Sequence, residues 1–359
     1  PRPQKICLAS GSKRMISLLI PTIDRPDFLR RYLLFLKIEG FEGEVIIGDS
    51  SQKSLYKELE IFIKKNKFDF EVIQKAYPNM QHFEVIRELL PLIKFEYSMY
   101  ICDDDFLIPS TLIKCKEFLD ENHDYSGVGG YNLIVSLNEN QNILDLNEYP
   151  IKNYEMQSAK ERLSALSNNY DVVAYGLFRT KDFIKRWPLE NLQEREIAIE
   201  IHPCFALVAQ GKFKILDDLF VIRCDHERRI LLPTLSVKLK GEYWDESVET
   251  SCRELGAILT REDGGELNQN INFARNCFDY LIHKGRIAEE NSLQMESSSF
   301  LIRILSKLKQ KLSFFRCLFN TKSTNAVLPL NKFSLEEEEI KSFKNFESLL
   351  VNNLGNSNI

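Results

Sequence analysis

Asp103, Asp104 and Asp105 are three consecutive carboxylates at the end of the apolar run Tyr97-Ser-Met-Tyr-Ile-Cys102. Two such charges 4 Å apart repel by about 1 kcal/mol in water and by more near a protein surface. A divalent cation offsets that repulsion. Mg²⁺ and Mn²⁺ take oxygen ligands and commonly bind through one or two carboxylates together with substrate phosphates. The triplet therefore points to a metal–diphosphate site. The alternative is a solvated acidic turn ahead of the helix that starts near Ser110. What favours the metal is the company the triplet keeps, because Thr22, Asp24 and Asp49 also follow or end apolar runs.

The elements that must position these groups alternate in type. Ile16 to Ile20 reads as a buried strand, followed by the two-proline turn Pro21-Thr-Ile-Asp-Arg-Pro26. Phe28, Leu29, Tyr32, Leu33 and Leu36 then fall at helical spacing. Glu44 to Gly48 is a second strand, 53–67 a helix and Phe68 to Ile73 a third strand. Residues 80–94 form a helix that Pro91 ends or kinks, Tyr97 to Cys102 is the fourth strand, and Ser110 to Glu121 is a helix. This βαβ rhythm predicts an α/β fold with a mainly parallel sheet flanked by helices. In such sheets ligands bind outside the carboxyl ends of the strands, so the groups after strands one, two and four should converge on one rim.

Beyond residue 126 the pattern loosens. Gly127 to Val135 reads as a strand, 138–157 as a polar loop, Asp171 to Phe178 as a strand and Lys181 to Trp187 as a short helix. Glu194 to Ala209 is helical, split by Pro203 and stopped by Gly211 at C′. Phe213 to Leu216 and Leu219 to Arg223 read as a closing strand pair. The expected organisation is an N-terminal extension over 1–15, a catalytic domain over 16–230 and a mostly helical region over 231–359.

Composition narrows the class. The 359 residues carry 47 Lys+Arg against 52 Asp+Glu, a formal charge of -5, which speaks against a general nucleic-acid binder. Eight cysteines include no CxxC pair, so neither a zinc ribbon nor a disulfide framework is expected, and a reducing, cytoplasmic setting fits. No apolar run approaches the roughly 18–20 residues of a membrane span, and no signal peptide is recognised. The chain also lacks GxxxxGK[ST], GxGxxG and GxSxG.

Three segments together resemble the GT-A fold glycosyltransferases, close to the broad family-2 type. They are Ile16-Ser-Leu-Leu-Ile-Pro-Thr-Ile-Asp-Arg-Pro26, Val45-Ile-Ile-Gly-Asp-Ser-Ser51 and Tyr100-Ile-Cys-Asp-Asp-Asp-Phe-Leu-Ile-Pro109. The last resembles the family's metal-binding DxD segment. The likeness covers 16–125 well and 126–230 loosely. At the second segment the family has two acids, where this chain has Gly48 and only Asp49.

The resemblance implies a metal-dependent transferase that moves a sugar from a nucleoside-diphosphate sugar, most simply a UDP-sugar, to a glycan or lipid-linked acceptor in surface polysaccharide synthesis. It implies that Pro21, Thr22 and Asp24 line the nucleotide, that Asp49 accepts from the base N–H, and that Asp103 sits near ribose and metal. Asp104 and Asp105 are the candidate ligands of Mn²⁺ or Mg²⁺, with His226 as an additional ligand or diphosphate contact. Counting back from Gly211 as the family does puts the catalytic base of an inverting displacement at Glu200, with Glu196 one turn away. His202 is then a candidate for the acceptor site and Arg228-Arg229 for the diphosphate, whereas His82, His123 and His283 read as ordinary. Alternatives are a nucleotidyltransferase on a similar sheet and a catalytically silent carbohydrate-binding or scaffold relative.

Leu301, Leu305, Leu308, Leu312, Phe315 and Phe319 form one apolar face of a helix that is otherwise basic. Packing of that stripe on the catalytic region or on a second subunit is the preferred reading. Weak peripheral contact of the 300–319 helix with the inner face of a membrane is the alternative.

Overall fold

Ile16–Thr22 (β1) is seven consecutive buried residues, with none of the alternation of a half-exposed strand. A strand covered on both faces by helices reads this way. The computed structural model describes residues 16–187, 192–228, 242–298, 330 and 333–351. β1 leads into Pro26–Ile38 (α1), where Pro26 occupies the first turn, a position that needs no N–H. Glu44–Asp49 (β2), Lys53–Lys65 (α2), Glu71–Ala76 (β3), His82–Leu89 (α3) and Tyr97–Tyr100 (β4) follow. A short 3₁₀ turn over Leu90–Leu92 bends the chain where Pro91 cannot continue α3.

β3, β2, β1 and β4 lie side by side and parallel. The α/β sheet expected from the alternation is therefore present, and its carboxyl edge carries Thr22, Asp49 and the segment after Tyr100. The other half is mixed. Its elements are Phe106–Leu107 (β5), Pro109–Glu121 (α4), Tyr125–Leu137 (β6), Ile143–Tyr149 (β7), Ala159–Asn168 (α5), Leu177–Arg179 (β8), Thr180–Lys185 (α6), His202–Gln210 (α7) and Lys212–Asp225 (β9). β8 joins β4 and β6 antiparallel, β6 runs parallel to β9, and β5 pairs antiparallel with β9. That last pairing, Phe106↔Ile222 and Leu107↔Val221, delivers the end of β9 to the aspartate triplet.

Three expectations for this half are corrected. The polar stretch 138–157 contains β7, an edge strand on β6 whose side chains are mostly exposed, so it lacks an apolar signature. Of the strand expected over Asp171 to Phe178 only Leu177 and Phe178 are in β8, since Val172, Ala174 and Tyr175 instead wall a cavity. The two closing strands are one. Gly130 pairs with Leu216 and Tyr131 with Leu219, so Asp217-Asp218 bulges out of a continuous β9. A Cβ on Gly130 would stand 2.5 Å from the Asp218 carbonyl oxygen, so this bulge needs glycine opposite it.

Trp244–Asp263 (α8), Leu267–Ser298 (α9) and Glu337–Val351 (α10) complete the described elements. Their buried residues, among them Leu255, Phe278 and Phe346, belong to the same apolar cluster as the sheet. The Asp263 carboxylate accepts the backbone N–H groups of Ala159 and Lys160, each at 2.8 Å, and so caps α5. Ser342 and Asn345 of α10 donate to Glu39 at the end of α1, at 2.5 and 2.7 Å. No helix among the described residues is long and apolar enough to cross a membrane. The basic stripe over 300–319, the extension over 1–15 and Arg229 lie outside the described residues.

Candidate active site

The carboxyl edge of the parallel half opens into a cavity of about 850 Å³. Pro21, Thr22, Asp103, Asp104, Asp105 and Glu200 all line it. Residues as far apart in sequence as Pro21 and Glu200 thus share one wall system, and the rim convergence expected from the strand alternation is present for β1 and β4.

The triplet is buried, and each member has its own partners. Asp103 accepts from Thr22 Oγ1 at 2.6 Å and from Arg25 Nη2 at 2.5 Å. Asp104 Oδ2 faces both Arg25 Nη1 and His226 Nε2, each at 3.1 Å. Asp105 Oδ1 accepts the Cys224 N–H at 3.0 Å, a product of the β5–β9 pairing, and its Oδ2 lies 4.0 Å from Arg223 Nε.

Proton affinities follow from these surroundings. Burial pushes the Asp103 carboxyl up to about 7, with Arg25 and Thr22 opposing and Asp104 adding. Burial pushes Asp105 up to about 6, with the Asp104 charge adding and Arg223 opposing. Burial also acts on Asp104, but the hydrogen bond from His226 and the Arg25 charge outweigh it and hold this carboxyl below its ordinary range.

The donor set suits a hard dication. The Asp104 and Asp105 carboxylates and the Cys102 thiol lie within 4.8 Å of one another. Burial keeps that thiol protonated, pushed up to about 12, and it shares a 3.2 Å hydrogen bond with Tyr100. The two carboxylates are therefore the groups fitted to hold Mg²⁺ or Mn²⁺. Among the predicted ligands, His226 is placed differently. Its ring stacks on Phe28 at 4.8 Å and its Nε2 backs Asp104, and it is not among the cavity-lining residues.

Asp24 and Asp49 also stand back from the cavity wall. Asp24 adopts a left-handed φ of 53°, which an aspartate tolerates, and accepts the Gln52 N–H at 2.9 Å. Asp49 gives one oxygen to the Ser51 N–H at 2.9 Å and the other to Gln74 at 2.8 Å. Both carboxylates therefore shape the loops that follow β1 and β2. The departure at Gly48 has a steric cause. A Cβ there would stand 2.2 Å from Val85 Cγ1 of α3, so no acid fits unless α3 moves. Gly48→Ala is expected to destabilise the fold by about 1–3 kcal/mol, read as a lower denaturation midpoint in urea.

Glu200 owes its position to Pro203. Proline has no N–H to continue a helical ladder, and the chain widens into a π-helical turn over Ile197–Ile201, with the His202 N–H donating to the Ile197 carbonyl. This turn puts Ile199 and Glu200 on the cavity wall beside Arg195, while Glu196 is buried and off it. Glu200 thus sits within a helical turn that runs directly into α7. Tyr170 donates to its Oε1 at 3.4 Å. His202 turns away from the cavity, its Nδ1 2.7 Å from Ser251 Oγ on α8. Gly211 follows α7 in extended backbone, not the left-handed form expected at C′. Arg228 pairs with Asp27 at 2.7 Å.

Comparison with solved structures gives matches that include one protein in several forms. The chain is similar in fold to S. aureus TarS. The TarS structure matches at 17% identity and TM-score 0.45, covering 71% of this chain and 41% of that one, so this chain spans about two-fifths of that structure. The 1–349 form matches at 16% identity and TM-score 0.46, over 73% of this chain and 71% of that one. The same form in complex with UDP-GlcNAc matches at 16% identity and TM-score 0.44, over 78% and 92%. No family model and no curated protein matches the sequence. At these identities the likeness is one of chain path, and the reading of the site rests on its own residues.

Sequence reasoning missed the cations of the cavity, Arg25, Arg195 and Arg223, together with His82 and the aromatic wall of Tyr149 and Tyr175. Arg223 lies over both tyrosine rings, at 4.5 and 5.3 Å. His82, read as ordinary, lines the cavity with its Nε2 3.1 Å from Tyr100 Oη. Arg25 was legible in principle, as the single cation of the Pro21–Pro26 loop facing three acids. The others belong to segments that only the fold brings near.

Proposed function

We propose that the protein is a metal-dependent glycosyltransferase that uses a nucleoside-diphosphate sugar, most simply a UDP-sugar, and a hydroxyl acceptor on a glycan or lipid-linked chain. One observation carries this reading: the aspartate triplet and Glu200 line one cavity at the carboxyl edge of the parallel strands. Asp104 and Asp105 are the residues suited to the dication, which when bound supplies charge neutralisation for a departing diphosphate. Arg25, Arg195 and Arg223 are cations on the same wall and serve the same developing charge.

In an inverting displacement Glu200 takes the proton of the acceptor hydroxyl. The oxygen then forms its bond to the anomeric carbon as the bond from that carbon to the diphosphate oxygen breaks, and the nucleoside diphosphate leaves with that electron pair. The tyrosine rings at 149 and 175 offer apolar faces against which a sugar ring packs. Thr22 and Pro21 at the end of β1 line the nucleotide end of the cavity. A role in surface polysaccharide synthesis fits this chemistry.

The direct test pairs two measurements. UDP with Mn²⁺ is expected to raise the melting temperature by mass action on the folded state, and UDP-sugars are expected to release UDP slowly into water. No shift with any nucleoside diphosphate would leave a carbohydrate-binding or scaffold role in its place. Release of pyrophosphate rather than a nucleoside diphosphate would make the protein a nucleotidyltransferase.

A further inference from the structure

Arg25 sits where a bound cation would have to act. Its guanidinium spans two members of the triplet, with Nη2 2.5 Å from Asp103 Oδ1 and Nη1 3.1 Å from Asp104 Oδ2. The side chain is 13% exposed, and it lines the cavity. On its other side the Phe28 ring lies 5.3 Å from the guanidinium carbon. Its Nε has no hydrogen-bond partner, so the planar fork is held by these two carboxylates and by ring contact. Two carboxylates and one guanidinium make a compact group in which Arg25 offsets part of the negative charge without any metal.

That partial neutralisation has a consequence for the metal. Asp104 Oδ2 already faces two donors, Arg25 and His226. A dication drawn to Asp104 and Asp105 meets the positive guanidinium at hydrogen-bond distance from one of its ligands, and the two cations repel. Whichever one leaves needs another anion to go to. The cavity that Arg25 lines is the one assigned above to a donor diphosphate.

We propose that Arg25 is an exchangeable counterion of the Asp103–Asp104 pair: it holds these carboxylates while the site is empty, opposes metal binding on its own, and transfers to the diphosphate when metal and donor enter together. This rests on the reading of Asp104 and Asp105 as metal ligands. Metal and nucleoside diphosphate then bind with positive coupling, and the coupling passes through Arg25. By linkage, each strengthens the other by the same factor.

The test measures bound Mn²⁺ by electron paramagnetic resonance of the free ion, in the full chain and in Arg25→Gln, with and without UDP. Without UDP the variant is expected to bind Mn²⁺ roughly tenfold more tightly, the Coulomb scale for removing one charge about 5 Å from a dication in water. UDP is expected to strengthen Mn²⁺ binding several-fold less in the variant than in the parent. Equal or weaker Mn²⁺ binding by the variant, or an unchanged effect of UDP, overturns the proposal. Binding of Mn²⁺ by the variant alone supports it in the strongest form.

If neither protein binds Mn²⁺ while UDP still raises the melting temperature in EDTA, the counterion role falls and nucleotide binding stands. If UDP binds to neither, the glycosyltransferase reading falls and the transfer of Arg25 to a diphosphate falls with it, and the Mn²⁺ affinities without UDP decide only whether Arg25 opposes the metal. Arg25→Lys covers the case in which the glutamine variant does not fold. A lysine is a point charge that cannot bridge both carboxylates as the fork does, so Mn²⁺ affinity between parent and glutamine variant is expected, and parent-like affinity overturns the proposal.

Discussion

Glu200→Gln is expected to reduce UDP release from a UDP-sugar by about 10²–10⁴-fold while leaving UDP binding within about twofold, the usual signature of a lost general base. Glutamine has the shape of glutamate and keeps an oxygen for Tyr170, which donates to Glu200 at 3.4 Å. Burial holds the Tyr170 hydroxyl well above its ordinary range, so it stays a donor at any working pH. The substitution therefore removes basicity and little else. Turnover and the UDP-induced rise in melting temperature, measured on the same preparation, separate chemistry from binding. Glu196→Gln serves as the internal control. Its side chain is buried and off the cavity wall, so UDP release is expected to change little. Normal turnover in the Glu200 variant removes Glu200 from the reaction and leaves a displacement without a carboxylate base at this position.

What could be read in advance divides along physical lines. The parallel half was legible because fully buried strands are mostly apolar without alternation, and β1, β2 and β4 are each buried along their whole length. The triplet was legible because adjacent charges need a reason. The mixed half was hidden for two reasons. β7 is an exposed edge strand, so little apolar signal marks it. β9 carries Asp217-Asp218 in mid-strand, and only its register against β6 shows that these two residues are a bulge and not a turn.

The site shows the same division. Thr22 and the aspartates come from strand ends, which alternation can place. Arg223 reaches the triplet because a two-residue strand pairs with β9, a non-local event with no local signature. Asp24 and Asp49 show the converse limit. Their types and positions fit a binding role, yet the Gln52 N–H takes one and the Ser51 N–H with Gln74 takes the other. A sequence does not reveal whether a strand-end acid is spent on its own loop. Gly48 is the instructive departure, because its missing side chain leaves room for Val85 of α3.

Asp105→Asn is expected to melt higher than the parent at pH 8 in the absence of metal, by roughly 2–5 °C, and to lose the further rise that Mn²⁺ with UDP gives the parent. The sign follows from linkage. An aspartate in an unfolded chain titrates near 4, whereas burial and the neighbouring Asp104 charge lift Asp105 to about 6, with Arg223 opposing. Between those values the folded protein holds a proton that the unfolded chain has released, so stability falls as pH rises through about 4 to 6. At pH 8 the full cost of a buried, crowded carboxylate is present; at pH 4 it is absent, and the two melting temperatures should converge. Asparagine keeps an oxygen for the Cys224 N–H, 3.0 Å away, and carries no charge to desolvate. The two halves of the prediction belong together. A carboxylate retained in a place where it weakens the fold is retained for something that binds it, and an empty site bears a cost that its occupant removes. A variant that melts lower than the parent at pH 8, or one that still gains stability from Mn²⁺ with UDP, would show that the charge on Asp105 serves the fold rather than a ligand.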